Sequence, residues 1–244
     1  RVPGGGRAHD RAVVLGAGVR AALLLAALGL LAVALAGSPD LVAEGERWWT
    51  QSPDPANPVA CATCHHDPAE TRGWAPSFPK WKPQPPPHAR VMTLLQANAE
   101  AVARHYRLAD PLRAATAITA YLGAQGAGLP VSPGMSPGQP VFPGRMEALA
   151  DSVRRGARLF DVRCGRCHRP ERVAPSWTAF PSLRDGRPEP LEIFLERHGP
   201  VRESSGQPLA WDSPATADLL AYLVFRLTGR PANVETLSPR EGSR

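Results

Sequence analysis

One five-residue pattern limits what this chain can fold into, because it occurs twice. Cys61-Ala-Thr-Cys64-His65 and Cys164-Gly-Arg-Cys167-His168 both read Cys-x-x-Cys-His, and together they use all four cysteines of the chain. Such spacing presents two thiols from one turn of backbone, with an imidazole directly after them. It is the attachment pattern of c-type haem: the thiols add across the two vinyl groups and the histidine becomes the proximal iron ligand. The expectation is therefore two covalently bound haems, held by Cys61, Cys64 and His65 and by Cys164, Cys167 and His168.

Other uses of a Cys-x-x-Cys pair explain less. A redox dithiol of the thioredoxin type needs a βαβ context, and none is visible. A zinc site built from both pairs fits the thiols but leaves the histidine after each pair without a role. A disulfide framework, conceivable in an exported chain, leaves both histidines unexplained too.

With 244 residues the chain is long enough for two small domains. A haem is a large apolar body around which a short set of helices can pack. Each domain can therefore be stable below a hundred residues, despite limited surface burial. The 28 prolines and 22 glycines point to loop-rich connections between few helices.

The formal charge of +6 is partly local. Residues 1–36 hold four arginines and one aspartate; the rest has 24 basic and 21 acidic residues, a net of +3. Haem propionates would offset that, so nucleic-acid binding is not expected. Residues 1–20 are polar and positive, with Arg1, Arg7, Arg11 and Arg20. Ala21 to Gly37 is an unbroken run of Ala, Leu, Val and Gly, with Ala34-Leu35-Ala36 as a small-x-small cleavage site. This is the three-part shape of a secretory signal peptide. The run of 17 residues is also at the lower limit of a spanning helix. Residues 1–36 are expected to be a cleaved signal, with an uncleaved anchor at residues 21–37 as the alternative. Either way the positive end stays inside, and the haem-bearing part is expected in the periplasm.

The remainder divides at a Pro/Gly-rich stretch, residues 129–144, which is expected to be a non-helical linker. Residues 40–128 and 145–230 flank it as two candidate domains, and residues 231–244 form a tail. The two read as divergent repeats. Gly45-Glu-Arg-Trp-Trp49 precedes the first motif and Gly156-Ala-Arg-Leu-Phe160 the second. Ala75-Pro-Ser-Phe78 and Ala174-Pro-Ser-Trp177 follow, and then Phe-Pro at 78–79 and 180–181. Each repeat closes with a similar helix, Ile118-Thr-Ala-Tyr-Leu122 or Leu219-Leu-Ala-Tyr-Leu223, whose tyrosine lies 56 or 54 residues after the haem histidine. Asp110-Pro111 and Asp212-Ser-Pro214 are helix-opening sequences. Further helical stretches are expected at 93–106 and 190–198, where Leu191, Phe194 and Leu195 share one face. No sustained strand periodicity is present.

This order resembles the class I cytochrome c domain, in which a C-terminal helix crosses an N-terminal one beside the haem. The resemblance covers nearly all of residues 40–230 and implies an all-α fold of two tandem cytochrome c-like domains. Trp49, Tyr121, Phe160 and Tyr222 are then core aromatics at the two helix crossings. In that family a distal methionine lies between the motif and the last helix. The chain has only Met92, Met135 and Met146, and none follows the second motif; Val201 or another residue stands where one is expected.

The ligand opposite each proximal histidine sets the haem's use. Methionine raises the potential, histidine leaves it lower, and an open position permits ligand binding or catalysis. After His168 the chain has no Met, Cys or Lys and one histidine, His198. His198 is therefore the expected second distal ligand, with a helix C-terminal cap as its plainer role. For the first haem His105 is favoured, with Met92 as the alternative. His88 in its proline-rich loop also competes, while His66 adjoins the proximal ligand too closely to reach the other face.

The segment Thr119-Ala-Tyr-Leu-Gly-Ala-Gln-Gly-Ala-Gly-Leu-Pro-Val131, with Ala179-Phe-Pro-Ser-Leu183, resembles the SoxA family of diheme cytochromes in sulfur oxidation. The resemblance implies paired cytochrome domains and export. SoxA proteins use a distal cysteine for their sulfur chemistry, and this chain has no cysteine left for that role, which argues against thiosulfate conjugation.

The expected function is that of an exported diheme carrier passing electrons between periplasmic or membrane redox partner proteins. A haem enzyme or sulfur-oxidation subunit with one open haem is an alternative. So is an anchored subunit of a respiratory or photosynthetic membrane complex. No carboxylate pair, Ser-His arrangement or phosphate-binding loop stands out; Gly16-x-Gly18 lies in the export segment and is not a nucleotide fingerprint.

Overall fold

The structure, a computed structural model, describes residues 41–83, 89–135, 142–178, 180, 183–184, 187–198 and 207–228. The expected signal or anchor, His88, Val201 and the tail lie outside the described residues, as do parts of the linker and of the 179–183 stretch. Among the described residues no helix is long and apolar enough to cross a membrane.

The fold is mostly helical. In chain order the elements are α1 (Leu41–Thr50), α2 (Cys61–Cys64), α3 (Pro68–Thr71), β1 (Lys80–Lys82), β2 (Arg90–Met92), α4 (Leu94–His105) and α5 (Leu112–Gln125). A second group follows: α6 (Pro143–Arg163), β3 (Leu183–Arg184), β4 (Arg187–Pro188), α7 (Leu191–Arg197) and α8 (Pro214–Thr228). Short 3₁₀ turns lie at Ala75–Ser77, Pro170–Arg172 and Pro175–Trp177. β1 pairs antiparallel with β2, and β3 with β4. At two or three residues each, these strands are too short to leave a period-two pattern.

Two helix pairs make the same contact. α1 packs on α5 in the first lobe and α6 on α8 in the second. Gly45 allows the first approach: a Cβ there would lie 2.0 Å from the Ala117 carbonyl oxygen and 2.7 Å from Tyr121 Cβ. Gly156 allows the second, where a Cβ would lie 1.9 Å from the Asp218 carbonyl oxygen and 2.9 Å from Tyr222 Cβ. One turn later the aromatics meet, Trp49 with Tyr121 at 6.0 Å between ring centroids and Phe160 with Tyr222 at 5.4 Å. Glycine, aromatic and tyrosine thus occupy matching positions in both crossings.

Polar groups fix the crossings further. Glu44 on α1 is buried and accepts from Arg113 Nε at 2.9 Å. Asp218 on α8 is buried beneath a two-pronged contact from Arg155, with Nε to Oδ2 at 2.6 Å and Nη2 to Oδ1 at 2.8 Å. Ser152 donates to the same carboxylate at 2.5 Å. Paired in this way, the buried charges avoid the cost of an isolated one.

The helix starts follow sequence rules with small shifts. Thr93 and Gln96 form a reciprocal capping box on α4. Asp110 accepts from the Leu112 N–H at 3.1 Å to open α5, and Ser213 accepts from the Thr216 N–H at 3.2 Å to open α8. The linker ends earlier than expected: Pro143 and Gly144 already belong to α6. A proline in the first helical position has no N–H to leave unpaired and is preset in φ, so it starts this helix.

The lobes are in contact. The β1–β2 pair of the first lobe packs on α6 and α8, with Val91 clustered with Met146, Leu149 and Ala221. Ile193 and Trp211 pack on the cluster of Leu95, Ala99 and Ala115. Gln96 Nε2 donates to the carbonyls of Trp211 and Ser213 at 2.9 and 3.1 Å, and Arg90 Nη1 to that of Asp212 at 3.0 Å.

Lys80 stands on β1 with its Nζ 4.5 Å from the Phe78 ring centre and 3.0 Å from Ser77 Oγ. Burial, with Lys82 and Arg145 nearby, lowers its pKa from 10.5 to about 8. Between those values the unfolded chain binds the extra proton, so this group makes stability rise with pH from about 8 to 10.5. Lys80→Met is expected to remove the cost of burying this charge at pH 7, along with the ring and hydroxyl contacts of the ammonium. It should also flatten the rise between pH 7 and 10. Denaturant midpoints at both pH values test this; equal pH dependence in both proteins would refute it.

Candidate functional site

Each Cys-x-x-Cys-His motif folds as a single helical turn. In the first, the His65 N–H donates to the Cys61 carbonyl at 2.9 Å. In the second, the His168 N–H donates to the Cys164 carbonyl at 2.8 Å. The settings differ. Cys61–Cys64 is a free-standing turn, α2, whereas Cys164 caps the C-terminus of the 21-residue α6. Residues three apart lie near one helix face, and Cys61 and Cys64 border the same cavity.

A tryptophan stands edge-on to each motif histidine. His65 and Trp74 have ring centroids 4.8 Å apart at 76°, and His168 and Trp177 5.1 Å apart at 82°. Both tryptophans lie nine residues after their histidine. The two Ala-Pro-Ser segments, matched in the sequence comparison, are therefore not structural equivalents. That comparison set Trp177 beside Phe78, while the side chain in its place is Trp74. Equal spacing from the histidine was the signal that the tripeptide obscured.

Both motifs border a cavity. The first, ≈220 Å³, is lined by Cys61, Cys64 and His65 together with Trp49, Trp74, Val102, Tyr106, Ile118 and His105. The second, ≈310 Å³, is lined by Cys164 and His168 with Phe160, Trp177, Leu191, Phe194, Leu195 and His198. Cys167 is exposed and is not part of that lining.

His105 and His198, the two histidines singled out in the sequence, thus share a cavity with a motif histidine. Each stands at the end of its helix, α4 or α7. Met92 does not line the first cavity; it is fully buried on β2, which packs toward α6 and α8. His66 is exposed beside His65 and lines neither cavity.

No protein-family model and no curated protein matches this chain.

The donor set can be tested against an iron porphyrin. Both cavities are walled by apolar and aromatic side chains, as a flat apolar macrocycle requires. The His168 and His198 ring centroids are 6.4 Å apart. Two metal–imidazole bonds of about 2 Å each, plus the radius of each ring, account for a separation of that size. The second pair fits the group by this separation, and the first cavity offers the same residue types, with His65 and His105 both in its wall.

The thiols fit the other chemistries less well. Burial pushes the Cys164 thiol up to about 11. It raises Cys61 as well, against the lowering contribution of the Tyr106 hydroxyl. A redox dithiol needs a stabilised thiolate, the reverse of this environment. A four-thiolate zinc site needs both pairs together, whereas they border separate cavities. Among the described residues, no group of three or more His, Cys, Asp or Glu side chains is placed to hold a metal ion by itself.

Tyr106 was missed by sequence reasoning. Its hydroxyl donates to the Trp48 carbonyl at 2.5 Å and accepts from the Cys61 N–H at 3.2 Å. It also lies 3.4 Å from Cys61 Sγ. It joins the end of α4, and with it His105, to the start of the first motif. Asn57 Nδ2 adds a bond to the His105 carbonyl at 3.0 Å.

Proposed function

We propose that this chain is an exported diheme c-type cytochrome that carries electrons between redox partner proteins. Each half is a cytochrome c-like domain. Cys61, Cys64 and His65 hold one haem and Cys164, Cys167 and His168 the other. His105 and His198 are the distal ligands.

The observation that carries this reading is the pairing of each motif histidine with a second histidine in the wall of one apolar cavity. The glycine–aromatic–tyrosine crossings, present in both halves, support descent of the two domains from one haem-binding unit. The haem supplies the one-electron chemistry. The protein's part is to retain it through the thiols, orient the imidazoles and keep water from the iron. Trp74 and Trp177 pack against the proximal rings and restrict their rotation. Buried apolar walls limit the dielectric response, which is one of the levers on potential. Contact between the lobes holds the two sites at a fixed separation, as a relay requires.

Intact mass of the mature protein, with a pyridine haemochrome assay, tests the reading. The expected result is two covalent haems per chain, reduced to one by Cys64→Ser with Cys61→Ser. A chain that matures in a c-haem-assembling host without covalent haem would overturn it.

A further inference from the structure

Glu70 stands five residues after His65, on the single turn α3. Its Oε1 lies 4.0 Å from His65 Nδ1. The turn that presents it is fixed on both sides of the glutamate. Asp67 caps its start, accepting from the Ala69 N–H at 2.8 Å. Thr71 is buried, and its hydroxyl lies 3.5 Å from the Gln125 side chain of α5. The imidazole is held as well. Trp74 stands edge-on to it at 4.8 Å between ring centroids, and Trp49 lies at 6.2 Å. Aromatic rings thus flank the imidazole, and its Nδ1 edge is turned to a carboxylate.

The same offset in the second motif carries a different side chain. Five residues after His168 stands Val173. It packs against the apolar cluster that includes Phe160, Leu191 and Leu195. A valine side chain has no acceptor to offer an imidazole N–H.

Resting on the haem reading given above, we propose that Glu70 is a positioning residue for the first haem, accepting the Nδ1 proton of His65 and lowering that haem's reduction potential. A neutral imidazole that gives one nitrogen to a metal carries its proton on the other. With Nδ1 toward Glu70, Nε2 is the nitrogen left for iron, and the proton faces the carboxylate. A movement of about 1 Å brings the oxygen from its present place to hydrogen-bond distance. With 42% and 54% of the two side chains exposed, the pair adds little to stability. Its effect falls on the ligand instead. An outer carboxylate raises the basicity of a metal-bound imidazole, and both the stronger donor and the nearby negative charge favour the more positive, ferric iron. The proton stays on Nδ1 in both oxidation states, so one electron moves and nothing else.

Potentiometric titration of the two-haem protein and of Glu70→Gln, at one pH, tests this. The amide keeps the length of the side chain and removes the charge. At a fixed ambient potential the ferrous-to-ferric ratio of one haem is expected to rise about tenfold, or about 59 mV for a one-electron couple, while the other haem stays in place. In the reduced protein the His65 Nδ1–H resonance should move and that of His168 should not. Glu46→Gln, at an exposed position on α1 of the same lobe, is the control and should leave both potentials unchanged. Glu70→Asp withdraws the charge by one carbon and should shift the same haem by less; it carries the test if the glutamine variant loses haem. Unchanged potentials in whichever of these variants retains both haems overturn the proposal. So does an equal shift in Glu46→Gln, since net charge would then be the cause, and so does a shift without movement of the His65 resonance. Absence of covalent haem from the native protein sinks the reading beneath it instead, and intact mass separates the two failures.

Discussion

Gly156→Ala is expected to destabilise the fold by roughly 3 kcal/mol, at the upper end of what overpacking costs. The new Cβ would lie 1.9 Å from the Asp218 carbonyl oxygen and 2.9 Å from Tyr222 Cβ. The nearest obstacle is backbone, so no side-chain rotation relieves it. α6 must move away from α8, and that movement disturbs the Phe160–Tyr222 contact and the Arg155–Asp218–Ser152 network together. Phe160 also lines the second cavity, so haem retention should fall with stability. Gly144→Ala on the same helix is the control: nothing lies within 4 Å of its Cβ position. It should be neutral or slightly stabilising, because alanine has the better helix propensity. Denaturant unfolding of both variants decides the matter. Equal midpoints would show that the close approach of the two helices is not needed.

His198→Met is expected to raise the reduction potential of the second haem and leave the first unchanged. Thioether ligation favours the reduced iron relative to imidazole ligation, and axial ligands as a class span roughly 0.8 V. The measurement is a potentiometric titration followed by visible spectra, in which one of two transitions should move upward. If His198 serves only as a cap at the end of α7, the variant changes stability by at most about 1 kcal/mol. Both potentials then stay where they were, and the ligand assignment fails.

The helical stretches were readable because their signals are local. Thr93 and Gln96 lie three residues apart, Leu191, Phe194 and Leu195 share one turn, and Asp110 and Ser213 stand directly before their helices. The repeat was also readable where glycine and aromatic are spaced by one helical turn, at Gly45 and Trp49 and at Gly156 and Phe160. In the loops after the motifs the sequence match and the structural match differ. There a matching tripeptide outweighed the equal spacing of Trp74 and Trp177 from their histidines. Loop backbone has no period to hold a comparison in register, so only the contact with the histidine ring reveals the equivalence.

The division follows from the range of the interactions. Chain chemistry by itself picked out both Cys-x-x-Cys-His motifs as candidate attachment sites, because two thiols and an imidazole must act within one turn of backbone. Elimination also left His198 as the ordinary strong-ligand candidate after His168. The chain favoured His105 but kept Met92 as an alternative, since both lie within the same stretch after the first motif. Tertiary structure decided which of them shares the cavity: α4 carries His105 back over Cys61 through Tyr106, while β2 turns Met92 toward the other lobe. Nor could the chain by itself show that the end of α4, where His105 stands, is tied to the first motif by Tyr106 and to the preceding loop by Asn57. Those ties are made by a phenol and an amide that meet their partners across as many as 48 residues of chain. No local pattern records contacts of that kind.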